Sequence, residues 1–171
     1  MLMSERANAI TLKGNPMTLL GNELKVGDAA PDATLVANDL SEVKISSYKG
    51  KKMIISAMPS IDTPVCDVEG KRFNKEAVGL KDVVVLNVTV DLPFAQKRWC
   101  GALESNSMVT LSDYRYGSFG ENYGVLIKGL KLLARCVFVV DAAGKIRHID
   151  LVKEVSTEPN YEAVLSAVKA L

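Results

Sequence analysis

The stretch from Met53 to Ala77 constrains the chain most. It opens with Met53-Ile54-Ile55-Ser56-Ala57-Met58, a short apolar run that reads as a buried strand. It closes with Asp67 to Ala77, which reads as a helix. Between them lies Pro59-Ser60-Ile61-Asp62-Thr63-Pro64-Val65-Cys66. Thr63 suits the N-cap, and Pro64 suits the first helical position, where no N–H donor is needed. Cys66 then falls in the first helical turn. Free backbone N–H groups and the positive end of the helix dipole favour an anion there. A thiol so placed ionises more readily than usual, and the thiolate is the nucleophile.

Other segments extend the pattern. Asp82 to Val90 is β-branched and reads as a second central strand, and Leu132 to Val140 as a third. Phe94 to about Leu103 and Tyr161 to Ala170 read as helices, Phe119 to Tyr123 as a short one, and Met108 to Leu111 as a strand. Ala9 to Lys13 and Met17 to Leu20 flank Gly14-Asn15-Pro16 as a hairpin. Ala33 to Val36 and Val43 to Ser46 are short strands, and Lys145 to Leu151 pairs back on the third central strand. Alternating strands and helices give an α/β class. With 171 residues, 48% of them apolar, and no repeat or linker, residues 1–171 are expected to form one domain.

Charge removes several function classes. Twenty-one basic residues against 20 acidic leave a net charge of +1, without the basic excess that nucleic acid or an anionic membrane surface requires. No apolar run approaches a bilayer span. Met1-Leu2-Met3-Ser4-Glu5-Arg6 lacks the basic region and apolar core of a signal peptide, so the cytoplasm is the expected compartment.

The cysteines are Cys66, Cys100 and Cys136. An odd, small number is no secreted disulfide framework, and no C-x-x-C pair is present. One histidine, His148, cannot build a zinc site with cysteines this far apart. In a reducing compartment such cysteines are core residues or do redox chemistry.

Pro59, Thr63 and Cys66 form the pattern Pro-x-x-x-Thr-x-x-Cys. With it stand Lys13-Gly14-Asn15-Pro16, Val26-Gly27-Asp28-Ala29-Ala30-Pro31-Asp32, Asp91-Leu92-Pro93-Phe94-Ala95-Gln96 and Ala134-Arg135-Cys136-Val137-Phe138-Val139-Val140-Asp141. Together, from about Ile10 onward, these motifs resemble the peroxiredoxin superfamily, and within it the bacterial atypical two-cysteine thiol peroxidases. The resemblance implies a thioredoxin-like fold: a central mixed sheet flanked by helices, with an N-terminal β-hairpin. It implies reduction of hydrogen peroxide and organic hydroperoxides by thiols, without metal or prosthetic group. Cys66 is then the peroxidatic cysteine and Cys100 the resolving one, condensing with the Cys66 sulfenic acid to an intramolecular disulfide. Thr63 and Arg135 match the activating threonine and arginine. Thioredoxin as reductant and a homodimer are carried over in the same way.

Each assignment has a plainer alternative. Cys66 and Cys100 also fit as core cysteines, and Arg135 as the exposed start of its strand, paired with a surface carboxylate. Cys136 follows Arg135 directly, so in a strand it points to the opposite face and reads as a small buried residue. His148, alternating with Ile146 and Asp150, reads as a surface histidine. Phe94, Trp99 and Met58 are candidates for lining a peroxide pocket or for plain core. A redox-sensing or holdase module oxidised at Cys66 is the alternative function, and an inert thioredoxin-like scaffold a third. Cys66 and Cys100 sit on separate helices, and a disulfide needs Cα atoms within about 7 Å. Oxidation is therefore expected to require local unwinding.

Overall fold

Three parallel strands make the centre of the molecule. In the computed structural model, which describes residues 2–102 and 108–171, these are β5 (Lys52–Ala57), β6 (Val83–Thr89) and β7 (Met108–Ser112). Ser56, Asn87 and Thr110 stand side by side across them. β9 (Cys136–Val140) pairs antiparallel with β5, and β10 (Ile146–Leu151) with β9. At the other edge, β3 (Thr34–Val36) pairs antiparallel with β7 and with β4 (Glu42–Lys44). The order is β10-β9-β5-β6-β7-β3-β4. A second, three-stranded sheet joins the N-terminal hairpin, β1 (Glu5–Leu12) and β2 (Asn15–Leu20), to β8 (Leu126–Ile127).

Alternation along the central strands divides the core. Ile54, Val85, Val137 and Val139 face one side, where they meet Phe73 of α1 (Pro64–Ala77), Trp99 of α2 (Pro93–Gly101), and Val164 and Val168 of α4 (Tyr161–Lys169). Ile55, Leu86, Val88 and Phe138 face the other, against Ile10 and Leu19 of the hairpin and Phe119 of α3 (Ser118–Asn122). The expected mixed sheet flanked by helices is therefore present, and the hairpin covers the face that α1, α2 and α4 leave free.

Several boundaries differ from the sequence reading. Leu132 to Arg135 lie outside β9. Lys131 takes a positive φ of 52°, Leu133 makes an isolated bridge to Leu126, and the Ala134 N–H donates to the Val125 carbonyl at 2.8 Å. The segment thus packs along the second sheet before entering the first, and an apolar run alone does not distinguish such a buried connection from a strand. Ile45 leaves the expected strand for a short 3-10 turn, Ile45–Tyr48. α2 ends at Gly101, and Leu103, expected at its end, lies outside the described residues.

β10 carries a bulge at Arg147: Ile146 pairs with Val140, but His148 pairs with Val139. The extra residue turns His148 and Asp150 away from the face of Ile146, which overturns the expected alternation. His148 is half-buried rather than a surface residue.

Candidate active site

The site begins where β5 runs into α1. After Ala57 the chain stays tied to β6, with the Met58 N–H donating to the Val88 carbonyl at 3.1 Å. Asp91 then holds the loop: its carboxylate accepts from the Ser60 hydroxyl at 2.8 Å and the Ile61 N–H at 2.9 Å. The Thr89 hydroxyl donates to the same carboxylate at 2.7 Å. At the loop's end Thr63 is the N-cap, extended at φ −86° and ψ 144°, with Pro64 following. The Thr63 hydroxyl oxygen accepts from the Cys66 N–H at 3.2 Å. Thr63 thus fixes the backbone of the cysteine.

Burial along α1 falls on Cys66, Glu69, Gly70, Phe73 and Asn74, the inward stripe of an amphipathic helix. Cys66 is fully buried. Arg135 Nη1 lies 3.3 Å from Cys66 Sγ and donates to it, and it donates to Glu69 Oε2 at 2.6 Å. Arg135 Nε donates to the Val155 carbonyl at 2.9 Å, and the Ser56 hydroxyl donates to Glu69 Oε1 at 2.6 Å. The exposed-arginine alternative is excluded, because the Arg135 side chain is 2% exposed and its partner Glu69 is sealed. Burial alone would lower the Arg135 pKa, but its contacts with the Glu69 carboxyl and the Cys66 sulfur outweigh burial and hold the pKa above its ordinary value. Burial raises the Glu69 carboxyl, against the opposing pull of Arg135 and Ser56. The sulfur lies beside a fixed cation that is also a directed donor, an arrangement suited to stabilising an oxyanion formed next to it.

The fold brings Thr63, Cys66 and Arg135 together, and it leaves Cys100 apart. The Cys100 thiol is half-buried on α2, 3.2 Å from the Thr110 hydroxyl, which donates onward to Asn38 Oδ1 at 3.1 Å. All three cysteines are free thiols. Cys66 reaches the sheet through Glu69 and Ser56 on β5, whereas Cys100 reaches it at Thr110 on β7. Those anchors are two strand spacings apart, about 10 Å. A contact nevertheless joins the helices: Trp99 Nε1 donates to Asp67 Oδ1 at 2.9 Å. The indole also lies against Gly70, where a Cβ would approach the ring to 2.2 Å. Trp99 is nearly buried, Met58 fully buried, and Phe94 66% exposed.

Sequence reasoning missed Glu69, Ser56 and Asp91. Glu69 left a signal, because it sits three residues after Cys66 on the face that buries Phe73. A buried Arg135 also demands a counter-charge.

The family model described as Redoxin matches residues 25–165. The chain belongs to the Redoxin family. Within that family it groups with the thiol peroxidases. It is 55% identical to the thiol peroxidase of Oceanobacillus iheyensis over 157 residues, 92% of this chain and 96% of that protein. It is 54% identical to the thiol peroxidase of Bacillus subtilis over 162 residues, 95% and 97% of the two chains. Among solved structures, a peroxiredoxin-like protein from Aquifex aeolicus superposes with a TM-score of 0.89 at 44% identity, covering 99% of each chain. A thiol peroxidase from Chromobacterium violaceum superposes at 0.85 with 17% identity, covering 94% of this chain and 95% of that one, and shows the shared fold. This Redoxin-family chain thus has the architecture that its motifs led one to expect.

Proposed function

We propose that residues 1–171 act as one domain that reduces hydroperoxides with two thiols. The observation that carries the reading is the placement of Cys66, closed to solvent and 3.3 Å from a guanidinium nitrogen. The Cys66 thiolate attacks the terminal oxygen of the O–O bond and becomes a sulfenic acid. Arg135 donates to the oxygen that departs with the electron pair, and that oxygen leaves as water or alcohol once protonated. Thr63 holds the Cys66 backbone at the helix start through both events.

Cys100 then resolves the sulfenic acid as an intramolecular disulfide, and thioredoxin reduces it. The proposal includes a homodimer, and a cytoplasmic location, where thiols are kept reduced. No helix among the described residues is long and apolar enough to cross a membrane.

The test measures peroxide consumption with reduced thioredoxin, using hydrogen peroxide and a bulky alkyl hydroperoxide side by side. Catalytic turnover is expected. A single stoichiometric oxidation would instead favour a redox sensor. After one equivalent of peroxide, Cys100→Ser should carry one added oxygen on Cys66 by mass spectrometry. A Cys66–Cys136 disulfide in that variant would transfer the resolving role to Cys136.

A further inference from the structure

The sheet face beneath α1 and α2 changes character along its strands. Ile54, Val85 and Met108 belong to the apolar cluster with Phe73 and Trp99. Two residues further along the same face stand Ser56, Asn87 and Thr110, in register across β5, β6 and β7. The outer two have partners, and each belongs to the surroundings of one cysteine: Ser56 bonds Glu69, and Thr110 bonds Asn38 and faces Cys100. Asn87 lies between them. It is fully buried, and neither Oδ1 nor Nδ2 has a hydrogen-bond partner among the described residues. Gln96 Oε1 on α2 is likewise unpartnered among the described residues, while its Nε2 is held by Thr89, two residues along β6 from Asn87. Unpartnered polar atoms therefore gather under the helices that carry the two thiols.

A buried donor and acceptor without partners weaken the packed state relative to one in which water reaches them. Asn87 thus favours separation of α1 and α2 above β6. Disulfide formation needs α1 or α2 to unwind and lift from the sheet there, which admits water to Asn87, since both cysteines sit in wound helices anchored two strands apart. We propose that Asn87 is a positioning residue for the resolving step, lowering the cost of the opening that lets Cys66 and Cys100 meet. The proposal rests on the two-cysteine reading. In that step the Cys100 thiolate attacks the Cys66 sulfenic sulfur. A sulfur–sulfur bond forms and the sulfur–oxygen bond breaks. The hydroxide leaves with its electron pair and takes up the proton that Cys100 released, giving water. The sulfenic sulfur is reduced and the Cys100 sulfur oxidised.

Asn87→Leu keeps approximate side-chain size and removes both polar atoms. Full-length protein is mixed with one equivalent of hydrogen peroxide, quenched in acid, alkylated and read by mass spectrometry. Oxygen should appear on Cys66 at the wild-type rate, and the Cys66–Cys100 disulfide about tenfold more slowly, a difference of about 1.4 kcal/mol in barrier. The reduced variant should also melt higher than wild type. A residue needed only for the fold would lower the melting temperature on replacement. Disulfide formation at the wild-type rate, or a lower melting temperature, overturns the proposal. If Asn87→Leu does not fold, Asn87→Thr should show the same slowing to a smaller degree, and no slowing overturns the proposal. Wild type that forms no Cys66–Cys100 disulfide would instead defeat the two-cysteine reading.

Discussion

Cys66 and Cys136 are both sealed from solvent and lie on opposite sides of one sheet. Both are linked to Arg135, Cys66 through its sulfur and Cys136 by following it in the chain. Their surroundings differ in what faces the thiol. Burial, helped by the negative charge of Asp150, pushes the Cys136 thiol well above the ordinary cysteine range. Its cluster is apolar, with Ala57, Phe138 and Tyr123. Cys66 has the Arg135 guanidinium at hydrogen-bond distance, and Glu69 and Val155 hold that guanidinium in place. Arg6 lines the same small cavity as Cys136 and pulls its thiol down, but burial prevails there, whereas at Cys66 the guanidinium is hydrogen-bonded to the sulfur itself and makes a candidate nucleophile.

The contrast is tested most severely by exchanging each cysteine. Cys66→Ser should lower peroxide turnover by on the order of 10⁴-fold or more, as loss of an enzyme nucleophile does. Cys136→Ser should leave turnover within about twofold, measured in the same thioredoxin-coupled assay. Equal losses would erase the distinction. Arg135→Lys comes next, because an ammonium keeps the charge and loses the planar fork. The rate of the first oxidation should fall by roughly 10²- to 10³-fold, the scale of a lost oxyanion donor. Stopped-flow measurement with a single equivalent of peroxide isolates that step.

Glu69→Gln separates charge from shape. It leaves Arg135 buried with its carboxylate partner removed, which should cost about 3 kcal/mol of stability. For a chain of this size that is roughly 6–12 °C in melting temperature by calorimetry. Peroxidase activity should fall less than in Arg135→Lys.

Asp113 provides the mildest test of burial without a counter-charge. It is 2% exposed and accepts from the Phe119 and Gly120 N–H groups, and burial pushes its carboxyl up to about 6. The folded state then holds a proton there that the unfolded chain has released. Its stabilising effect is full below the ordinary aspartate value of 3.8 and is lost as pH rises through about 6. Stability should fall by at most about 3 kcal/mol across that window from this group. Asp113→Asn should flatten the slope in urea titrations between those pH values.

Much of this was legible in the sequence because local chemistry expressed it. Thr63 and Pro64 mark the start of α1 by capping and by the missing N–H, and Cys66 follows at a fixed offset. The central strands showed as runs of β-branched residues. Other features depend on pairing between distant segments. The Arg147 bulge, which reverses the facing of His148, arises from register with β9 and has no local marker. The departure of Leu132 to Arg135 from β9 reflects packing on β8. Glu69 read as an ordinary helical carboxylate, because its partners Arg135 and Ser56 reach it only through the fold. Asn87 interrupts the apolar run Val83 to Val88 of β6, and its significance lies in its neighbours across the sheet.

Trp99 gives the chain its own optical probe. It is the sole tryptophan, follows Arg98 and precedes Cys100, and its indole N–H is bonded to the residue after Cys66. Its emission therefore originates at one place, the seam between the two thiol-bearing helices. Separation of those helices transfers the indole from contact with Gly70 into water and shifts the emission to longer wavelength. If the proposed disulfide forms by that separation, the emission of unlabelled protein should shift with each turnover, and a steady emission through oxidation and reduction would show that the seam stays closed.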